Sequence, residues 1–155
     1  MSEIIQKLLM FIKNMPKAWG EAWHHYFYFQ GRTNNVDFWS FAIINSFIAF
    51  ILFLINDAFG LVYRIQYENY YLECHLLFTI YILLSFIPSF CLCIRRLHDL
   101  NLRGIWFWVW LLCLLISLPY MYINFICQWI LLVIASYPSG DKNRFGEKPQ
   151  GESSI

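Results

Sequence analysis

Charge is scarce in this chain, and its scarcity decides the class of protein. Asp, Glu, Lys and Arg make up 14% of the 155 residues, where a soluble domain carries about 25%. Three long stretches, Phe38–Ile55, Cys74–Ile94 and Ile105–Tyr137, hold no formally charged residue at all. No C-x-x-C or Cys/His ligand spacing occurs among the five cysteines, so neither a zinc site nor a disulfide framework is expected. Cys91 and Cys93 would point roughly 200° apart on a helix and cannot share a metal. The cysteines read as small apolar fillers of a helical bundle. A net charge of +1 gives no electrostatic footprint for nucleic acid.

What the chain has instead is apolar and aromatic mass, 59% hydrophobic and 21% aromatic residues. Trp and Tyr at that density suit a chain crossing membrane interfaces. The length allows one compact unit. Residues 1–30 have a texture of their own. Ile4, Ile5, Leu8, Leu9, Phe11 and Ile12 recur at helical spacing with Glu3, Gln6, Lys7, Lys13 and Lys17 interleaved. That pattern suits an amphipathic helix lying in the headgroup plane. Pro16 and Gly20 are expected to break it before the aromatic segment Trp23–Phe29, which reads as interfacial rather than as a metal site at His24-His25. Gln6 and Lys7 interrupt the apolar stretch and no small-residue cleavage site follows, so it is not read as a secretory signal.

The first span is placed at 38–55, about 27 Å of helix against about 30 Å of hydrocarbon. Thr33, Asn34 or Asn35 could cap it, with Asp37 in its first turn. Asn45 and Ser46 inside it suit hydrogen bonds between helices. Residues 56–73 read as an external loop with an aromatic rim. The second span is placed at 74–94, with Pro88 expected to kink it. The block 105–137 would reach about 50 Å as one helix, too long for a single crossing. Pro119 splits it into two short helices, 105–118 and 120–137, forming a short hairpin. The tail, 138–155, is polar.

With four spans and both termini in the cytoplasm, ten of the eleven Lys and Arg residues fall inside and Arg64 alone outside. The expected fold is therefore an all-α membrane protein. It has four transmembrane helices, the last two a short hairpin, after an N-terminal amphipathic interfacial helix. The domains are an interfacial segment (1–30), a membrane domain (31–137) and a cytoplasmic tail (138–155).

This topology brings three polar motifs to one membrane surface: Gly31-Arg32 with Asp37 and Trp39, Arg95-Arg96-Leu97-His98-Asp99, and Asn143-Arg144-Phe145-Gly146. In these motifs the chain resembles the bacterial inner-membrane family of small proteins catalogued as domain of unknown function 805. G-R-x-x-x-x-D-F-W precedes the first span, R-R-L-H-D ends the second and N-R-F-G-x-x-P lies in the tail. Asn35 stands where the family usually has a second basic residue, and Arg103-Gly104-Ile105 replaces its Ser-Gly-Trp pattern. The resemblance implies a multi-span plasma-membrane protein and supplies no established reaction.

The site residues read from the sequence form a cytoplasmic polar face of Arg32, Asp37, Trp39, Arg95, Arg96, His98, Asp99, Asn143 and Arg144. Guanidinium groups there suit anionic lipid headgroups or a protein partner, including a second copy of the chain. No catalytic motif, metal site or cofactor is expected. One alternative is a small transporter or channel with Asn45, Asn124 and Gln128 along a polar path, although the spans lack ionisable groups. A weaker alternative is a lipid-headgroup enzyme with His98 as general base, oriented by Asp99.

Overall fold

The computed structural model describes residues 2–67, 70–117, 120, 126, 129 and 132–149. In chain order they form α1 (Ser2–His24), α2 (Asn35–Ala58), β1 (Val62–Tyr67), β2 (Tyr70–His75), α3 (Leu76–Asp99) and α4 (Ile105–Ser117).

α1 runs unbroken through Pro16 and Gly20, against the sequence expectation. A proline removes one intrahelical hydrogen bond, and packing of the following turns outweighs that loss here. Ala18 and Ala22 are buried, and Trp19 and Trp23 pack with Phe38 on a core of Ala22, Phe41 and Leu92. The first half of α1 is different. Ile4, Ile5, Leu8, Leu9 and Ile12 are all exposed.

α2 is capped by Asn34, whose Oδ1 accepts the Asp37 N–H at 2.6 Å. Of the three candidate caps, Asn34 is the one in extended conformation with its oxygen in reach. α2 and α3 are both 24 residues long and apolar enough to cross a membrane. A belt of exposed side chains, including Phe47, Phe50, Leu54, Leu83 and Phe86, covers them. In water such a belt would be untenable; in lipid it is the solvated surface.

Between these helices the expected loop is an antiparallel hairpin, paired from Val62↔His75 to Tyr67↔Tyr70. The fold is thus mostly helical rather than purely helical. β-branched and aromatic residues at Val62, Tyr63 and Ile65 favour the pleated conformation. Cys74 and His75, assigned to the second span by composition, belong to β2. The buried Asn56 joins the two helices at this end. Its Nδ2 donates to the Leu52 carbonyl (2.6 Å) and its Oδ1 accepts the Leu77 N–H (3.0 Å), capping α3 where His75 makes no side-chain cap bond. Midway, the Tyr81 hydroxyl donates to Asn45 Oδ1 at 2.7 Å, an interhelical bond of the kind expected for Asn45.

Pro88 lies inside α3 without ending it. Having no N–H, it leaves the carbonyl four residues earlier, that of Leu84, without its intrahelical donor. The Tyr26 hydroxyl donates to that carbonyl at 2.6 Å. Cys91 Sγ, three residues beyond the proline, donates to the Tyr26 carbonyl at 3.2 Å. The segment after α1 therefore mends the backbone bond that Pro88 removes.

α3 continues five residues past the expected end of the span, so Arg95–Asp99 is helical and the turn begins at Leu100. Asn101 adopts φ +59°. Its N–H donates to the His98 carbonyl (3.0 Å) and the Leu102 N–H to the Leu97 carbonyl (2.9 Å). This is the Schellman arrangement with Asn in the left-handed position, and Leu102 packs back near Leu97. α4 then starts at Ile105 as expected and ends at Ser117. Half of the second arm of the proposed hairpin, 120–137, lies outside the described residues, as do Pro119, Asn124 and Gln128. Residues 132–136 are helical. The Ala135 carbonyl accepts from Arg96 Nε at 3.2 Å, so the chain that leaves α3 after Asp99 is back beside α3 by Ala135.

Candidate functional site

The three polar motifs meet at the end of the bundle where α2 begins and α3 stops. At their centre is Asp99, fully buried. Its Oδ1 accepts Arg32 Nε at 2.9 Å and its Oδ2 accepts Arg96 Nη1, with both arginine side chains 2% exposed. A carboxylate between two guanidinium groups leaves one positive charge, and the rest of the site disperses it onto carbonyl oxygens. Arg32 Nη1 donates to the carbonyls of Asp141 (2.7 Å) and Gly146 (3.0 Å), and Nη2 to that of Gly140 (2.7 Å). Arg96 bonds the carbonyls of Ala135, Thr33 and Tyr137. Buried charges persist only when their donors and acceptors are met this completely.

The sequence builds this locally. Arg96 and Asp99 stand three apart on one helix face. Gly31, at φ +84°, bends the chain so that its carbonyl lies 3.3 Å from His98 Nδ1. The Thr33 N–H reaches the Arg95 carbonyl at 3.3 Å. From the tail, Asn143 Nδ2 donates to the carbonyls of His98 (2.9 Å) and Asp99 (3.1 Å), in the last turn of the helix, where carbonyls lack the i+4 donor of a continuing helix. Asn143 Oδ1 in turn accepts the Phe145 N–H at 2.9 Å. The Phe145 ring stacks on His98 at 4.0 Å and 8°. Arg144 donates to the Asn101 carbonyl at 2.7 Å and its guanidinium lies 4.7 Å over Phe145. Gly104 closes the far side of His98: a Cβ there would lie 3.2 Å from Ile94 Cγ2 and 3.6 Å from His98 Nε2.

Six of the nine residues read from the sequence, Arg32, Arg96, His98, Asp99, Asn143 and Arg144, are thus in one bonded clasp. Asp37 and Arg95 are not in it. They face a separate cavity under α1. Trp39 stands apart, lining an apolar groove of about 540 Å³ with Trp129, Leu132, Val133, Tyr137 and Pro138. Sequence reading missed the backbone acceptors at 135–146, which carry no side-chain signature, and Tyr26. It also missed Asn101, although an Asn closing an apolar helix beside two leucines is a left-handed cap signal.

Two long apolar helices carrying a saturated arginine–aspartate clasp at one end define a helical membrane protein. The chain belongs to the family described as Protein of unknown function (DUF805), whose model matches residues 26–147. Among curated relatives, the inner membrane protein YhaI of Escherichia coli strain K12 is 29% identical over 128 residues, covering 81% of this chain and 89% of that protein. The inner membrane protein YhaH of the same strain is 31% identical over 130 residues, covering 83% and 92%. No solved structure matches the chain. The matched residues begin at Tyr26, which mends α3, and end just past Gly146, which accepts from Arg32, so the clasp lies within the family region and α1 outside it.

Proposed function

We propose that this chain is a non-enzymatic, multi-pass protein of the bacterial inner membrane, with four spans and both termini in the cytoplasm, whose polar end binds anionic headgroups. One observation carries the binding reading. Arg32 and Arg96 turn inward to Asp99 and the tail, while Arg103 and Arg144 remain exposed at the same end. The inward pair holds the tail, and the outward pair meets lipid. Each exposed basic residue at an anionic surface contributes about 1 kcal/mol. The return of the chain to Arg96 at Ala135 supports an even number of crossings after Gly104, and the distribution of Lys and Arg supports the cytoplasmic side.

The test is lipid enrichment in polymer nanodiscs cut from vesicles of mixed zwitterionic and anionic lipid. Arg103→Gln with Arg144→Gln should lower the anionic lipid retained around the protein several-fold, and the loss of the exposed Arg144 bond to the Asn101 carbonyl should cost no more than about 1 kcal/mol of stability. Equal retention by the double variant would refute the reading and leave a protein partner or a second copy as the ligand of this face. No observation favours His98 as a general base. Its ring is held between the Gly31 carbonyl, Phe145 and Gly104.

A further inference from the structure

α1 lies across the polar end of α2 and α3 and closes a second cavity, separate from the clasp. Its volume is about 140 Å³, space for about four or five waters at about 30 Å³ each. Leu92, Ala18 and Ala22 form apolar wall, and the remaining wall is two-signed. Arg95 stands on one side, with Glu21 and Asp37 near enough to act on its charge. Arg32 also borders the cavity but is committed to Asp99 and the tail. Arg95 is not. Its Nε is buried and has no hydrogen-bond partner among the described residues, a condition that costs about 1–3 kcal/mol unless a ligand or solvent oxygen meets it. On the outer rim Glu21 pairs with Lys17 at 3.8 Å, both side chains more than half exposed, a contact too solvated to hold Glu21.

We propose that this cavity is a headgroup site for a zwitterionic aminophospholipid, with the phosphate on Arg95 and the primary ammonium between Asp37 and Glu21. The charge pattern selects this class. A purely anionic head would satisfy Arg95 but meet two carboxylates of like sign. A quaternary ammonium has no N–H to donate to them, whereas a primary ammonium has three donors. The position fits as well. The cavity is lined from the first turn of α2 (Asp37) and the last two turns of α3 (Leu92, Arg95), the ends of two helices long enough to cross hydrocarbon. Ala18, Glu21, Ala22 and His25 precede the family-matched residues, while Arg32, Thr33, Asp37, Leu92 and Arg95 lie within them, so the site joins α1 to the family region. The proposal goes beyond the anionic-surface reading and uses other residues, so either can fail without the other.

The experiment is native mass spectrometry of the full chain released from detergent micelles containing phosphatidylethanolamine, phosphatidylcholine or phosphatidylglycerol at equal concentration. Phosphatidylethanolamine should be retained about tenfold over either competitor, about 1.4 kcal/mol of preference. Arg95→Gln should abolish retention. Glu21→Gln, an exposed position whose change should leave the fold intact, should shift the preference toward phosphatidylglycerol. Arg103→Gln with Arg144→Gln should leave the phosphatidylethanolamine adduct unchanged. Soluble phosphoethanolamine should displace the lipid only in large excess, since it lacks the chains. Equal retention of all three lipids, or an unchanged preference in Glu21→Gln, would overturn the proposal. Displacement by phosphoethanolamine at stoichiometric concentration would overturn the lipid as its source.

Discussion

Asp99 gives one oxygen to Arg32 and the other to Arg96, and none of the three side chains reaches solvent to any useful degree. Asp99→Asn keeps the shape and removes the charge, leaving two guanidinium groups buried without a counter-ion. It should destabilise the protein by about 3–5 kcal/mol, read as a large drop in unfolding temperature in detergent. The Arg64–Glu73 pair on the hairpin has the same 2.9 Å separation, with side chains 70% and 50% exposed. Glu73→Gln should therefore cost no more than about 1 kcal/mol. Arg32→Lys should not rescue the site, because an ammonium cannot reach Asp99 and three tail carbonyls at once. At Asn101 the left-handed backbone is the constraint. Asn101→Gly should be neutral or stabilising, and Asn101→Val should cost about 1–2 kcal/mol.

At the scale of the element, α3 is an apolar helix with a repaired break. Tyr26→Phe deletes the hydroxyl that meets the Leu84 carbonyl and should cost about 1 kcal/mol. In a Pro88→Ala background the alanine N–H returns to that carbonyl, and the same Tyr26→Phe change should cost little. A double-mutant cycle in unfolding free energy measures the coupling, and additive effects would show that Tyr26 does not act through the break. Which helices exist was legible from uncharged run length, and α2, α3 and α4 stand within a few residues of the expected positions. Their ends were not legible where partners come from elsewhere in the chain. Asn56 caps α3 from across the bundle, and Asn143 supplies donors to its last carbonyls. The hairpin is not legible in the sequence, because its strands are short and carry charges at Arg64 and Glu73, which blur a two-residue period. The continuity of α1 is not legible either: local propensity at Pro16 and Gly20 favours a break, and the packing of Ala18, Ala22 and Trp23 that overrides it is tertiary.

For the whole molecule, the spacing of three motifs at the ends of apolar runs was enough to expect one polar face. It was not enough to say which arginines turn inward, since Arg32 and Arg96 are held mainly by backbone oxygens that every residue possesses. Arg95 and Arg96 are neighbours in sequence and part company on the helix, one into the cavity and one into the clasp. The four-span reading expects a reporter fused after Gly146 to be active in the cytoplasm, and a periplasmic signal would refute it.

The clasp also imposes an order in time. Arg32 is synthesised more than a hundred residues before the carbonyls of Gly140, Asp141 and Gly146 that receive it, and chains emerge from the ribosome at about 5–20 residues per second. Until residues 135–146 have been made, the carbonyls that receive the two guanidinium groups do not exist, and those groups must stay hydrated. Closing the clasp therefore waits on the tail motif. A chain stopped at Pro138 would keep its helices and lack its latch, and it should be degraded far faster in cells than the full-length protein, a difference that a pulse-chase experiment would measure.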